Sequence, residues 1–344
     1  MHFFTPKAIQ NLCQQYGMKP SKDYGQNYLL SLEPIEAMVA AADIKPTDTV
    51  VEVGPGFGTL TFALAEQAKE VVAFEIEKKI EKYWREKTEE YKNIEIIWGN
   101  VLYQKDFDLF CHSRENGNPE VVEKVATGSP IGPAPYCDTG SGMTNVERPY
   151  KVVANIPYQI TSSIIKFFLE DIANKPESLT LMVQKEVASR ICAKPGDMSV
   201  LAVAVQYYAE PEIIMPVPRH FFYPIPKVDS AVIKITVKPI CHSRAPEQSD
   251  KCPWGESGNP VATDETLDPR FHGDDKYTKQ FFKLVKTGFS SRRKILIKNL
   301  LPLVGGNSGL SQLETIWQKL GWLRTIRAQE LSVEDWKKLV GILF

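Results

Sequence analysis

The stretch Val50-Val51-Glu52-Val53-Gly54-Pro55-Gly56-Phe57-Gly58-Thr59-Leu60 predicts a β-strand, a tight turn and the start of a helix. A β-branched run ends at a glycine loop, and an apolar helical pattern follows it. Glycines at 54, 56 and 58 let backbone N–H groups approach a ligand without interference from a Cβ atom. The positive end of the following helix favours a polar or anionic group at the same place. The stretch therefore predicts a nucleotide-binding loop.

The glycine spacing restricts the kind of nucleotide. A nicotinamide-binding G-x-G-x-x-G loop would need glycine where Thr59 stands, so a dinucleotide fits poorly. The observed G-x-G-x-G, with Glu52 two residues before it, resembles motif I of class I methyltransferases, which bind S-adenosylmethionine. Glu75 follows the next predicted strand, where a carboxylate can accept hydrogen bonds from both ribose hydroxyls. The alternative is a glycine turn in an ordinary βα unit, with Glu75 a solvated charge.

Composition indicates a globular chain with a sizeable core. It has 344 residues, of which 43% are hydrophobic, and a net charge of −1. No apolar run approaches the ~18 residues of a membrane span, and the first residues lack a signal-peptide pattern. Six cysteines without regular spacing do not form a disulfide framework. We therefore expect a cytoplasmic protein without membrane partners.

Strand and helix periods alternate after a first segment, residues 1–32, in which no periodicity is usable. A helix is expected over 33–43, with Ser31 as its cap. Strands are expected over 49–53, 70–75 and 94–98, and helices over 57–68 and 77–90. This alternation predicts a doubly wound α/β fold with a mostly parallel sheet.

Two stretches interrupt the pattern, at about 105–149 and 240–275. Such length without periodicity is abnormal inside a compact domain, so we interpret both as insertions in surface loops. They share the words CHSR and GNP. A zinc site within them is not expected, because no pair of ligands has the usual C-x₂₋₄-C or H-x₃₋₅-H spacing. The side chains considered are Cys111, His112, Cys137, Cys241, His242, Cys252 and His272.

The tetrapeptide Asn155-Ile156-Pro157-Tyr158 ends the strand predicted at 150–154. In an open α/β sheet it should face the glycine loop, because ligands bind at the carboxyl ends of the strands. Asn155 and a backbone carbonyl held by Pro157 can accept two hydrogen bonds from an exocyclic amine, while Tyr158 can stack on a base. Such acceptors favour in-line attack by a weak nitrogen nucleophile on a sulfonium methyl group. The alternative is a strand-ending turn with an Asn cap and a core tyrosine.

Further motifs occur in a fixed order along the chain. They are GQNYL at 25–29, VEVGPGFGTLT at 51–61, NIPY at 155–158, the residues from Phe221 to Val232, and FSSRRKILIKNL at 289–300. Together they closely resemble the ribosomal RNA adenine N6-dimethyltransferases, the KsgA family. The resemblance runs from about Lys22 to the C-terminus and skips the two insertions.

The resemblance implies roles for individual residues. Those expected at S-adenosylmethionine are Asn27, Leu29, Gly54, Gly56, Glu75, Asn100 and Asn155. Asn155 would also meet the target amine, and Tyr158 and Phe222 would sandwich the adenine, although Phe222 read alone could be a core residue. Asn100 departs from the family, which usually has aspartate there. It retains an acceptor for the cofactor's adenine amine but loses the charge, which puts cofactor affinity in doubt.

The resemblance also implies three segments: a Rossmann-like methyltransferase domain over 1–239, the insertion 240–275 and a small helical domain over 276–344. That last domain would bind ribosomal RNA, and its basic run supplies the expected phosphate contacts. They are Arg292, Arg293, Lys294 and Lys298. The alternative for this basic helix is a solvated face.

The expected reaction is dimethylation of N6 on two adjacent adenosines in a hairpin near the 3′ end of small-subunit ribosomal RNA. The partner would be the immature small ribosomal subunit, and the enzyme would act as a monomer without a metal. Two alternatives within RNA biology stay open: dimethylation of large-subunit RNA, as in macrolide resistance, and a non-catalytic ribosome-assembly factor. Methylation of a protein glutamine is disfavoured by the basic C-terminal run.

Overall fold

The computed structural model describes residues 5–18, 27–103, 149–238 and 276–344. The two predicted insertions, 105–149 and 240–275, lie outside the described residues except for residue 149. Their interpretation as surface loops, and the domain limits drawn from them, therefore stay predictions.

A central sheet of seven strands dominates the fold, in the order β4-β3-β2-β5-β6-β9-β7. Its strands are β2 Thr49–Val53, β3 Glu70–Glu75, β4 Ile94–Trp98, β5 Tyr150–Asn155, β6 Ser178–Gln184, β7 Ala209–Val217 and β9 Ser230–Val237. Strands β2 to β6 are parallel, whereas β9 runs antiparallel to both β6 and β7. This confirms the predicted α/β fold with a mostly parallel sheet.

The connectivity reverses between β2 and β5. The chain runs outward from β2 through β3 to β4 and then returns to β5, on the other side of β2. Val51 pairs with Val72 on one side and with Val152 on the other. In an open α/β sheet this switch point leaves a crevice at the carboxyl ends of the strands.

Eleven α-helices occur in the described ranges. They are α1 Pro6–Gln15, α2 Leu32–Ala42, α3 Thr59–Ala65, α4 Glu81–Glu90, α5 Thr161–Lys166, α6 Lys185–Ile191, α7 Val200–Tyr208, α8 Lys276–Gly288, α9 Leu296–Leu300, α10 Leu310–Leu320 and α11 Val333–Leu343. Helix α2 has Ser31 at the predicted cap position, although the Ser31 side chain makes no capping hydrogen bond.

Three helices differ from expectation. Helix α4 begins at Glu81 rather than at 77, because residues 78–80 form a separate 3₁₀ turn, and α3 ends at Ala65 rather than at 68. Helix α3 begins at Thr59 rather than at 57, because Gly56 and Gly58 have positive φ angles of 54° and 85° and keep Phe57 in the turn. Helix α1 lies within residues 1–32, where no helix was predicted. The sequence cue that could have located α1 is a threonine followed by a proline. Thr5 caps the helix, since its hydroxyl accepts a hydrogen bond from Ala8 N–H at 3.1 Å, and Pro6 occupies the first helical position.

Apolar side chains form a core on each face of the sheet, and a third core joins the C-terminal helices to α7. The Tyr207 ring of α7 lies 4.4 Å from the Phe281 ring of α8, centroid to centroid. Trp336 of α11 is completely buried in the same cluster. Because a buried large apolar side chain contributes roughly 1.5–3 kcal/mol, this shared core fixes the C-terminal helices against the sheet-bearing part.

A small two-stranded sheet connects two distant parts of the chain. Strand β1, Tyr28–Leu29, pairs antiparallel with β8, Phe222–Tyr223, so that Leu29 lies opposite Phe222. Their pairing brings the N-terminal segment to the residues that follow β7.

As for membrane insertion, none of the helices in the described ranges is long and apolar enough to span a bilayer.

Candidate active site

A cavity of about 330 Å³ opens at the switch point of the sheet. Every residue predicted for the cofactor and the target base lines it. The cofactor set is Asn27, Leu29, Gly54, Gly56, Glu75 and Asn100, and the set nearer the target base is Asn155, Tyr158 and Phe222. The structure therefore brings together residues separated by up to 195 positions along the chain, although their individual roles stay predictions.

The glycine loop is held by side chains that the sequence analysis did not identify. The Trp84 indole donates from Nε1 to the Gly56 carbonyl at 2.9 Å, and the Tyr83 hydroxyl donates to the Phe57 carbonyl at 2.7 Å. A Cβ atom at Gly58 would lie 2.6 Å from the Phe62 ring, so glycine is required there for space as well as for φ. Helix α4 thus stabilises the loop that is expected to receive the cofactor.

Glu75 ends β3 at the edge of the cavity. Its Oε1 accepts from the backbone N–H groups of Ile76 and Glu77 at 2.7 and 2.8 Å, and its Oε2 accepts from Gly56 N–H at 3.2 Å. Burial raises the pKa of this carboxyl, and the three backbone hydrogen bonds oppose the rise. Two donors already occupy Oε1, whereas Oε2 has one donor and keeps acceptor capacity for a ribose hydroxyl. Glu75 is therefore both an expected ligand and a structural support of the loop.

Glu52 is a second acidic residue at the cavity, to which the sequence analysis assigned no contact. Its side chain is only 2% exposed, and Oε2 has no hydrogen-bond partner among the described residues. Burial raises the pKa of Glu52 to about 8, while the nearby Thr61 hydroxyl opposes the rise and Glu75 adds to it. A buried carboxyl with one unpartnered oxygen beside an open cradle of glycines suits a positively charged ligand, because a nearby positive charge favours the ionised carboxylate, and S-adenosylmethionine carries positive charge. The residues present therefore fit this cofactor.

Asn100 begins a short 3₁₀ turn, Val101–Tyr103. Its Oδ1 accepts a hydrogen bond from Leu102 N–H at 3.0 Å. The oxygen that was expected to receive the cofactor's adenine amine therefore already has one donor. Aspartate would provide a second oxygen at this position, whereas asparagine provides an amide nitrogen that can only donate.

Asn155 lies at the end of β5 and faces the N-terminal segment. Its Nδ2 donates to the Asn27 carbonyl at 3.4 Å, which leaves Oδ1 as the acceptor for an incoming amine. The Pro157 carbonyl accepts from Ile160 N–H at 3.1 Å, in the 3₁₀ turn that follows. The Ile156 carbonyl, which precedes Pro157, is therefore the better candidate for the second acceptor.

Tyr158 and Phe222 line the same cavity from different elements. The Tyr158 hydroxyl forms a 2.7 Å hydrogen bond with the Ser230 hydroxyl of β9, and burial raises the Tyr158 pKa. Phe222 is 2% exposed and belongs to the core cluster that includes Tyr28 and Met182. Phe222 thus packs as a core residue and borders the cavity at once, and its stacking on adenine stays a prediction.

The basic run has a different local structure from the predicted helix. Arg292, Arg293 and Lys294 occupy the turn between α8 and α9, and Lys298 lies on α9. All four are exposed. The turn forms because Asn299 Nδ2 donates to the carbonyls of Gly288 and Ser291, at 2.6 and 3.0 Å, and so draws the ends of the turn together. The prediction of a basic helix was wrong for residues 292–294.

The described ranges contain no candidate metal site. Within residues 5–18, 27–103, 149–238 and 276–344, no three His, Cys, Asp or Glu side chains are grouped in a way that could hold an ion. The cysteine and histidine residues of the two insertions lie outside these ranges.

Comparison with known proteins identifies the family. A sequence model of the family described as "Ribosomal RNA adenine dimethylase" matches residues 17–248. This chain belongs to that family. Relatives include the "Ribosomal RNA small subunit methyltransferase A" of Dehalococcoides mccartyi strain CBDB1, 33% identical over 96% of this chain and 90% of the relative. The protein of the same name from Geobacillus kaustophilus is 32% identical over 98% of this chain and 96% of the relative. The prediction of an S-adenosylmethionine-dependent RNA adenine dimethyltransferase is thereby confirmed at the level of the family.

Solved structures agree with the fold. The 23S rRNA methyltransferase ErmE has a TM-score of 0.59, at 22% identity, and covers 92% of this chain and 99% of its own. A dimethyladenosine transferase from Plasmodium falciparum has a TM-score of 0.60 at 21% identity, and it covers 90% of this chain and 95% of its own. At these identities the likeness supports the architecture, including the C-terminal helices, and not the choice of RNA.

Proposed function

We propose that this enzyme transfers two methyl groups in succession to N6 of each of two adjacent adenosines in a hairpin near the 3′ end of small-subunit ribosomal RNA. The curated relatives bear a small-subunit name and span nearly the whole chain, which supports this substrate over large-subunit RNA. We further propose that it acts in the cytoplasm as a monomer, without a metal, on the immature small subunit.

The observation that carries the proposal is the position of Asn155. Asn155 lines the cavity together with the glycine loop, Tyr158 and Phe222, and its hydrogen bond to the Asn27 carbonyl uses Nδ2 and not Oδ1. S-adenosylmethionine supplies a methyl group activated by the positive charge on its sulfur. Asn155 Oδ1 and the Ile156 carbonyl can each accept a hydrogen bond from an N6–H group, draw the nitrogen toward tetrahedral geometry and so restore its lone pair. The same acceptors favour an adenine amine over an oxygen nucleophile.

A strong base is unnecessary for this step. The methylated nitrogen is acidic once it carries a fourth bond, so its proton can leave to water after transfer. Asn155 can accept but cannot take up a proton at neutral pH, which suits an orienting role. Tyr158 and Phe222 can hold the adenine plane, because an extruded base offers both its faces to aromatic rings.

The test is incubation of purified protein with unmodified small ribosomal subunits and isotopically labelled S-adenosylmethionine, followed by mass spectrometry of the RNA. We expect dimethyladenosine at two adjacent positions, with a monomethyl species at early times. Label in large-subunit RNA alone would replace the proposed substrate. Tight RNA binding without any label would favour the assembly-factor alternative.

A further inference from the structure

A short loop, Pro224–Asp229, joins β8 to β9 and borders the cavity at both of its ends. Phe222, just before the loop, lines the cavity itself. Ser230, just after it, forms the 2.7 Å hydrogen bond to Tyr158, which also lines the cavity. The six loop residues do not line the cavity themselves, so the loop lies beside the pocket that is expected to receive the adenine, next to Phe222 and Ser230.

Three hydrogen bonds from two residues, Arg219 and Lys185, hold the loop in place. The Asp229 carboxylate accepts from Arg219 N–H at 3.0 Å, and the Asp229 carbonyl accepts from Lys185 N–H at 3.0 Å. The Arg219 guanidinium donates to the Lys227 carbonyl at 3.4 Å. Pro224 and Pro226 add fixed φ angles within the loop. These contacts restrict the conformation of the loop before RNA binds.

Two large apolar side chains point away from the core on this held loop. Ile225 is 65% exposed and Val228 is 44% exposed. Single exposed apolar residues are normal on a protein surface, but two on one preorganised loop beside a binding pocket indicate a contact. The exposed cations Arg219 and Lys227 flank them. The Asp229 carboxylate, also on this loop, accepts a hydrogen bond from the Arg219 backbone N–H. This combination of apolar tip and basic flanks is complementary to a nucleic acid.

We propose that Ile225 and Val228 form a wedge that enters the RNA base stack beside the target adenosine, while Arg219 and Lys227 contact the adjoining phosphates. The proposal rests on the proposed function, because it concerns the same RNA. Removing an adenosine from a stacked hairpin exposes the faces of its neighbours and costs a few kcal/mol. An apolar side chain that covers those faces offsets part of this cost. The wedge would act for each of the two adenosines in turn.

The experiment uses the hairpin with 2-aminopurine in place of one target adenosine, because the fluorescence of this base rises when it leaves the stack. Ile225→Ala with Val228→Ala is compared with Ile213→Ala with Leu323→Ala, which removes similar exposed apolar surface elsewhere. We expect the first pair to lose most of the fluorescence rise and about 10-fold in kcat/KM on the natural hairpin. The control pair should retain both, and thermal melting and cofactor affinity should be unchanged in all variants.

A second substrate separates a wedge from a part of the catalytic pocket. On a short unstructured RNA, whose adenosine is already unstacked, the Ile225/Val228 variant should methylate as fast as wild type. An equal loss on both RNAs would overturn the wedge, because the side chains would then act after extrusion. An unchanged rate and fluorescence on the hairpin would overturn it as well. If wild type extrudes the base but transfers no methyl group, the proposed function fails while the wedge stands.

Discussion

The Glu75 carboxylate accepts a hydrogen bond from the backbone N–H of Gly56 at 3.2 Å. One residue expected to bind the ribose thus also positions the loop expected to bind the rest of the cofactor. Its other oxygen accepts from Ile76 and Glu77, so the carboxylate bridges the ends of β2 and β3. Ligand binding and loop geometry are therefore linked through a single side chain.

Replacement of Glu75 by alanine should weaken cofactor binding by roughly 1.5–3 kcal/mol, because it deletes charge-assisted hydrogen bonds and loosens Gly56. Isothermal titration calorimetry with S-adenosylhomocysteine measures this directly. Glu70→Ala, at the other end of the same strand, is the matched control and should leave affinity unchanged. Equal affinity for Glu75→Ala and wild type would remove Glu75 from the site.

Asn100→Asp should tighten cofactor binding by about 0.5–1.5 kcal/mol. Aspartate can hold Leu102 N–H with one oxygen and accept the cofactor's adenine amine with the other, which Asn100 cannot do with its amide nitrogen. The gain should vanish for S-inosylhomocysteine, in which an oxygen replaces that amine. A similar gain for both ligands would indicate a general effect of charge instead.

Glu52→Gln should alter how the free energy of unfolding depends on pH. The folded pKa of about 8 lies above the ordinary value of 4.5, so the folded state holds the proton more strongly than the unfolded state. Between these two values the wild type should lose stability as pH rises, by up to about 1.4 kcal/mol per pH unit. The variant lacks this loss, so its stability relative to wild type should increase up to about pH 8 and then level off.

Urea unfolding of both proteins across this pH range, without cofactor, provides the measurement. Glu81→Gln, at an exposed position of α4, is the control, and its pH dependence of stability should match that of the wild type. Parallel curves for Glu52→Gln and wild type would show that Glu52 titrates normally.

Asn155→Ala should lower the rate of methyl transfer by about 100- to 1,000-fold, because it removes one of two acceptors that act as the nitrogen becomes tetrahedral. RNA affinity should hardly change. Single-turnover kinetics and filter binding on the same hairpin separate the two quantities. A loss of RNA affinity in proportion to the loss of rate would make the tetrapeptide a docking element.

Arg292→Ala combined with Arg293→Ala should weaken RNA binding and reduce the slope of log affinity against log salt by about one to two. The turn exposes both guanidinium groups, so up to two phosphate contacts are lost. Cofactor affinity should stay constant. The control is Lys82→Ala with Arg85→Ala on α4, the helix between β3 and β4, which removes the same amount of positive charge and should leave the salt slope unchanged. An equal change of slope in both variants would indicate only an effect of net charge.

The sequence by itself determined the features that depend on neighbouring residues. Alternating periods predicted strands β2, β3 and β4 with their observed limits, and the glycine spacing located the nucleotide loop. The ordered motifs identified the family, and the nine residues they assigned to the cofactor and the target base all line the cavity. These succeed because strand periodicity, glycine conformation and motif spacing are local properties of the chain.

Tertiary structure decided the features that depend on distant partners. No local signal shows that Trp84 and Tyr83 hold the glycine loop or that one oxygen of the buried Glu52 carboxyl lacks a partner. Nor does any local signal show that Asn299 folds residues 292–294 into a turn rather than a helix. The pairing of β1 with β8, which places Leu29 opposite Phe222, likewise joins segments almost 200 residues apart. Hydrogen bonds and burial of this kind arise only when the packed chain brings their partners together, because the free energy of each depends on the surroundings rather than on the residue.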